Sequence, residues 1–102
     1  MNQAQLMQQM RKMQQEMVKA QEELANTIVT GTAAADAVRV EMSADNRVKR
    51  VAVAKDAVDP DDVETLEDLI VVAVNDALQK ARTASEARMG SVTGGLHIPG
   101  LT

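Results

Sequence analysis

The chain of 102 residues contains no cysteine and no phenylalanine, tyrosine or tryptophan. Without cysteine there is no disulfide, no thiolate metal site and no cysteine nucleophile. Without aromatic residues, the core must be built from Val, Leu, Ile, Ala and Met, which bury less area than aromatic side chains, so burial in an oligomer is favoured. The same absence argues against recognition of nucleic-acid bases by stacking.

The sequence also lacks long apolar runs and an excess of basic charge. No run approaches the ~20 residues of a membrane-spanning helix, and the start, MNQAQLMQQM, has no signal-peptide core. We therefore expect a cytoplasmic protein with no membrane partner. The net charge of −4 argues against a globally basic nucleic-acid binder, but the charge is uneven: residues 1–55 carry eight basic and six acidic residues, and residues 56–102 carry three and nine.

Residues that could carry catalysis are few and scattered. The one histidine, His97, lies in a glycine-rich C-terminal segment, and no nucleophile is paired with a base. The acids between Asp59 and Asp68 could hold a metal ion, but helix capping and a solvated acidic face explain them better. Gly94 and Gly95 do not follow a strand and open a helix, so they do not indicate a phosphate-binding loop. We expect no enzyme, no metal and no cofactor.

Segment 59–88 carries the strongest helix signal in the chain. Asp59 is expected to cap this helix, with Pro60 at its first position, and apolar residues then recur at spacings of three and four. In the middle the apolar arc widens to about 200°, against roughly 100° for a one-sided surface helix. The helix is therefore expected to touch two surfaces, one of them a homodimer interface that includes Leu69, Ile70, Val71 and Val74.

Residues 2–26 are predicted to form another long helix. Its apolar residues alternate spacings of four and three, which is typical of a coiled-coil-like seam; they are Leu6, Met10, Met13, Met17, Ala20 and Leu24. Adaptable packing is the expected role of the methionines. A groove for protein partners and a metal role are the weaker alternatives.

Between the two helices, segments 27–32, 37–43 and 47–54 are β-prone and are separated by a loop at 33–35 and a turn at 43–46. They predict an antiparallel meander with one face packed on the helices. Asn46 can take the left-handed conformation that the second turn needs. We expect a single domain over residues 1–89 and a flexible glycine-rich tail over 90–102.

The resulting order, α-β-β-β-α, predicts an α+β fold with a three-stranded antiparallel sheet and two long helices. At roughly 37 and 45 Å, these helices exceed a compact body of about 13 Å radius of gyration, so they should project as an arm. Acids gathered at the arm's base should keep anions such as phosphates away from the sheet. Basic residues near the free helix ends give about +4 per arm and favour phosphate contact, with ordinary surface charge as the alternative; they are Arg11, Lys12, Lys19, Lys80, Arg82 and Arg88.

Several segments together resemble the YbaB/EbfC family of bacterial nucleoid-associated proteins. They are KMQQEM and QEEL in the first helix, VTG at 29–31, VRVEM at 38–42, LEDL followed by NDA within 66–77, and the final GG…PG. The resemblance covers nearly the whole chain. It departs from the family at 33–36, where three alanines and an aspartate replace the usual glycines.

The resemblance implies an intertwined, tweezers-like homodimer that binds double-stranded DNA in the nucleoid with little sequence preference. The projecting helices are the implied contact, and the carry-over falls on their basic residues, above all Lys80, which follows NDA. The alternative is a non-enzymatic adaptor for repair or recombination proteins that docks partners on the Met-rich first helix.

Overall fold

A computed structural model of the protein describes residues 2–93, and side chains up to residue 92. The predicted α-β-β-β-α order is confirmed. The elements are α1 (Gln3–Ala25), β1 (Ile28–Ala33), β2 (Val38–Ser43), β3 (Arg47–Val53), a short 3-10 helix (Lys55–Ala57) and α2 (Val63–Thr93). Residues 94–102, which include His97 and most of the expected tail, lie outside the described residues.

The sheet has β2 at its centre, antiparallel to β1 on one side and to β3 on the other. The alternating sequence of β2 places Val38, Val40 and Met42 on one face, where they are buried, and Arg39 and Glu41 on the opposite face. We call the first the inner face and the second the outer face. The register shifts between Glu41 and Met42, which marks a β-bulge against β3.

Helix α2 lies across the inner face of β1 and β2. Its alanines at a spacing of four, Ala73, Ala77 and Ala81, are fully buried against the sheet. A Cβ atom added to Gly31 of β1 would lie 2.7 Å from the Cβ of Ala77 and closer still to two backbone atoms of α2. Small residues on both elements therefore allow the helix backbone to approach the strand backbone directly.

The start of α2 differs from the prediction, because the capping residue is Asp62 and not Asp59. The Asp62 carboxylate accepts hydrogen bonds from the Thr65 hydroxyl at 2.6 Å and from its backbone N–H at 3.3 Å, and these bonds lower the pKa of Asp62. Asp59 and Pro60 precede the helix in a turn closed by the Asp62 N–H and the Asp59 carbonyl at 2.9 Å. The fixed φ of Pro60 suits the second position of such a turn as well as a helix start.

The turn after β1 and the end of α2 also differ from expectation. The turn after β1 holds Ala34, Ala35 and Asp36 at φ values of 52°, 52° and 70°. These residues adopt the left-handed conformation that glycine adopts most easily, at the positions where the family resemblance expects glycine. Helix α2 continues to Thr93, five residues beyond its predicted end, so residues 90–93 of the expected tail are helical.

Helix α1 leaves the body of the molecule. Its buried residues are Ala20 and Leu24, near its C-terminal end, and residues 3–19 are exposed apart from the half-buried Met13. The radius of gyration is 19.6 Å and the extents are 70 × 25 × 17 Å, against about 13 Å for the radius of a compact chain of this size. The projection of α1 is thus confirmed, whereas α2 packs on the sheet through Ala73, Ala77 and Ala81. Neither α1 nor α2, the long helices of the described residues, is apolar enough to cross a membrane.

Candidate nucleic-acid interface

The projecting part of α1 carries three exposed cations, Arg11, Lys12 and Lys19. Lys12 and Lys19 are seven residues apart, so they lie on nearly the same side of the helix and about 10 Å apart along its axis. Glu16 is the acid between them, which leaves this stretch with a positive balance. Among the described side chains, no carboxylate lies within 4 Å of these cations. Their charge is therefore available to an external anion.

Lys80 lies on the body of the molecule and contacts the edge of the sheet. Its ammonium donates to the Thr30 carbonyl at 2.9 Å and to the Asp76 carboxylate at 3.1 Å. The same carboxylate accepts the backbone N–H of Thr32 at 3.0 Å. Because β1 is an outer strand, Asp76 and Lys80 occupy backbone groups of its free edge and hinder the addition of another strand there.

The contact with β1 also sets the electrostatics of this pair. The Thr32 N–H, and then Lys80, hold the pKa of Asp76 below its ordinary value. Both side chains remain partly exposed, so solvent screens the ion pair and limits its contribution to stability. A cation 3.1 Å from a carboxylate adds little net charge for a phosphate to meet.

Arg88 joins the two helices at the base of the arm. Its Nε donates to the Glu23 Oε2 of α1 at 2.6 Å, and its Nη1 donates to the Ser91 Oγ at 2.8 Å. The hydrogen bond between Arg88 and Glu23 lowers the pKa of Glu23 and raises that of Arg88. The Arg88 side chain is only 25% exposed. Arg88 lies in line with the apolar residues of α2, and at this position α2 packs against α1.

The six cations assigned to DNA contact therefore do not form one surface. Three line the projecting helix, one is exposed on α2 and two are held by carboxylates; in that order they are Arg11, Lys12 and Lys19, then Arg82, then Lys80 and Arg88. With Asp76 and Glu23 counted, the balance expected for the outer part of the arm falls from +4 to +2.

An uncovered apolar surface lies at the β3 side of α2. Val48 and Val51 pair with buried residues of β2 and so belong to the inner face, yet they are 51% and 46% exposed, because α2 lies over β1 and β2. Val71, 57% exposed, is about 180° around α2 from Lys80 and the β1 edge, so it faces towards β3. The other residues assigned to a dimer interface are half-buried against the core; they are Leu69, Ile70 and Val74.

The strands carry basic charge that the sequence reasoning did not assign to DNA contact. Strands β2 and β3 together contain four basic residues and one acidic residue, Glu41. The basic residues are Arg39, Arg47, Lys49 and Arg50. Arg47 lies 3.8 Å from Asp45. The alternation of VRVEM already placed Arg39 on the solvent side of β2, but only the pairing with β3 adds Arg50 beside it.

A groove along the projecting helix is lined mainly by methionines, together with Arg11 and Gln14; the methionines are Met7, Met10, Met13 and Met17. It continues the seam whose last members, Ala20 and Leu24, are buried. Within residues 2–93, no three side chains of His, Asp or Glu gather as metal ligands.

The chain matches the model of the YbaB/EbfC DNA-binding family over residues 1–96. A nucleoid-associated protein of Chloroflexus aurantiacus is 52% identical over 96 residues, covering 94% of this chain and 96% of that protein. Another, from Roseiflexus sp. (strain RS-1), is 51% identical over 100 residues, covering 98% and 99%.

A crystal structure of an uncharacterized protein from Helicobacter pylori, HP0035, aligns with a TM-score of 0.75 over 94% of this chain and 98% of that one. At 20% identity it shows a shared fold alone. The family match spans α1, the sheet and all of the described α2, and its family is one of DNA-binding proteins and not of enzymes. The chain belongs to the YbaB/EbfC DNA-binding family.

Proposed function

We propose that the protein is a homodimeric component of the bacterial nucleoid that binds double-stranded DNA with little sequence preference. The family and the nucleoid-associated relatives support DNA as the partner. The observation that carries the site is a projecting α1 with Arg11, Lys12 and Lys19 exposed on it. Arg82 on α2 is also exposed. Carboxylates hold the other two basic residues of α2, so we assign those residues to the scaffold.

Contact with phosphates fits these side chains. Long basic side chains reach phosphate oxygens without entering a groove, so the contact positions the protein but carries no sequence information. The chain has no aromatic side chain to stack on a base. Because basic side chains that neutralise phosphates displace bound counterions, we expect binding that weakens steeply as salt rises.

Homodimerisation rests on the apolar surface formed by Val48, Val51 and Val71. This surface is exposed in a single chain, while Asp76 and Lys80 occupy the free edge of β1. The β3 side is thus the open side of the sheet. A second copy that applies the same surface would bury apolar area on both chains, worth about 25 cal/mol per Å², and would present two arms in a symmetric dimer.

Val71→Asp tests the dimer. It puts a charge into the proposed interface, where burial without a partner is unfavourable, so we expect the dimer to dissociate. Val72→Asp is the matched control, because Val72 is 54% exposed but faces about 100° further around α2. Sedimentation at micromolar concentration should show a dimer for the wild type and Val72→Asp and a monomer for Val71→Asp. A monomeric wild type at that concentration contradicts this part of the proposal.

A salt titration tests the DNA contact. Arg11→Gln/Lys12→Gln removes four charges per dimer, and the logarithm of the binding constant changes by about −0.9 per phosphate for each tenfold rise in salt. We therefore expect the slope to flatten by up to about 3.6 units, with an equal loss of affinity on two unrelated duplexes. Gln9→Ala/Gln15→Ala changes the same helix without changing charge and should bind like the wild type. An unchanged slope for the charge variant rules out α1 as the contact.

A second candidate function is a protein-interaction adaptor in DNA repair or recombination. The observation that favours it is the methionine groove on α1, where Met7 and Met10 are 56% and 63% exposed. Methionine side chains adapt to varied partners. A wild type that fails to shift any duplex even at low salt favours this candidate over DNA binding.

A further inference from the structure

The outer face of the sheet carries a second set of exposed cations. Two cross-strand rows face outwards; from β1 to β3 they are Thr32–Arg39–Ala52 and Thr30–Glu41–Arg50. Neighbours within a row are about 5 Å apart, and diagonal neighbours such as Arg39 and Arg50 are about 7–8 Å apart. The two arginines flank one cleft, which Glu41 and Ala52 also line.

The side chains of this face suit a phosphate group. A guanidinium presents a planar fork of donors that matches phosphate oxygens, and the hydroxyls of Thr30 and Thr32 add donors on the same side of β1. Arg39 and Arg50 are exposed, and no carboxylate within the described residues lies within 4 Å of either. Glu41 offsets one of the two charges, so the patch keeps a positive balance.

The patch is separate from the arm and shielded from the acids of α2. Helix α2 packs on the inner face, so the sheet stands between its acidic first turns and the two arginines. Lys12 is 13 residues, or about 20 Å, along α1 from Ala25, and the sheet begins only after that point. The acids of α2, which are expected to keep phosphates away from the sheet, therefore lie on the other side of the sheet from these arginines.

We propose that the outer face of the sheet, through Arg39 and Arg50, binds the phosphate backbone of a second DNA duplex, so that the protein bridges duplexes. This rests on the proposed function, in which α1 holds the first duplex. A protein partner fits less well, because the two rows offer no large apolar side chain as an anchor. Phosphates require only charge and donors, which these rows supply.

Arg39→Gln/Arg50→Gln tests the bridge. A duplex fixed to beads and a second, labelled duplex report bridging as captured label, and a gel shift reports binding to one duplex. We expect the variant to shift a single duplex like the wild type and to capture at least about tenfold less label. Arg47→Gln is the matched control, since Asp45 already offsets Arg47, and should capture normally. Glu41→Gln removes the acid of the patch and should increase capture.

Each outcome decides between the two proposals. A wild type that shifts single duplexes but captures no label overturns the bridge and leaves the proposed function standing, as does full capture by Arg39→Gln/Arg50→Gln. Loss of single-duplex binding together with capture in that variant also overturns the bridge, because the sheet is then the first site. A wild type that shifts no duplex overturns the proposed function itself. Decreased capture by Glu41→Gln contradicts the charge argument even if the arginine variant fails to fold.

Discussion

Gly31→Ala is expected to push α2 away from β1. The added Cβ would lie 2.7 Å from the Ala77 Cβ and closer still to the Ala73 carbonyl oxygen and the Ala77 nitrogen, where ordinary contact begins at about 3.4 Å. Two of the three neighbours are backbone atoms, so no side-chain rotation relieves the clash, and the helix must move by about 1 Å. Overpacking of this kind costs about 1–3 kcal/mol.

Two further effects change the expected cost of Gly31→Ala. Displacing α2 weakens the contacts of its buried alanines, since a gap of 0.5–1 Å already forfeits roughly a quarter to a half of each contact energy. Replacing glycine within a strand returns about 0.5–1 kcal/mol of conformational entropy. The net expectation is a loss of about 2 kcal/mol, or roughly 8–16 °C in melting temperature for a chain of this size.

The assay is thermal and urea unfolding at one fixed protein concentration, because the stability of the proposed dimer would depend on concentration. Gly90→Ala is the matched control, since a Cβ there meets nothing within 4 Å. Gly90 lies inside α2, so this change should stabilise by about 0.5–1 kcal/mol through helix propensity. If Gly31→Ala is as stable as Gly90→Ala, the close approach of α2 to β1 is wrong.

Two further predictions concern the β1 turn and the β1 edge. Ala35→Gly, at φ 52°, should stabilise by about 1 kcal/mol by relieving left-handed strain, whereas Ala54→Gly, at φ −66°, should destabilise; equal urea midpoints for the two variants would contradict this. The lowered pKa of Asp76 means that its contribution is present above its unfolded pKa of about 3.9 and lost as pH falls through the folded value. Asp76→Asn should therefore be less stable than the wild type at pH 7, and the difference between their urea midpoints should shrink below about pH 4; a pH-independent difference would contradict the assignment.

The helices and strands could be predicted because their periodicity reflects burial. VRVEM alternates since the sheet buries one side of β2, and Asn46 turns at φ 71°, as its side-chain chemistry allowed. The start of α2 was missed because DPDD offers two capping carboxylates three residues apart. Pro60 suits a turn as well as a first helical position, so the local pattern does not decide between Asp59 and Asp62.

The candidate site was less predictable because its decisive partners are distant in sequence. Spacing alone shows Asp76 one helical turn before Lys80, but it does not show the Thr30 carbonyl 50 residues away. In the same way, Glu23 meets Arg88 across 65 residues. Charge counted along the chain therefore assigned Lys80 and Arg88 to the free end of a helix, whereas in the fold both bind carboxylates.

Net charge alone would predict that this chain avoids DNA. Seven of its fifteen acids lie within residues 56–68, around the start of α2, while Arg88 meets α1 twenty residues further along that helix. Twenty residues of helix span about 30 Å, so at about 0.1 M salt these acids are about three Debye lengths from the Arg88–Glu23 contact, near which the projecting part of α1 begins. The exposed cations of α1 then act almost independently of the acids, and repulsion from them reaches the arm only near 0.01 M salt, where the Debye length is about 30 Å. We therefore expect local rather than net charge to govern the approach of DNA to this molecule at physiological salt.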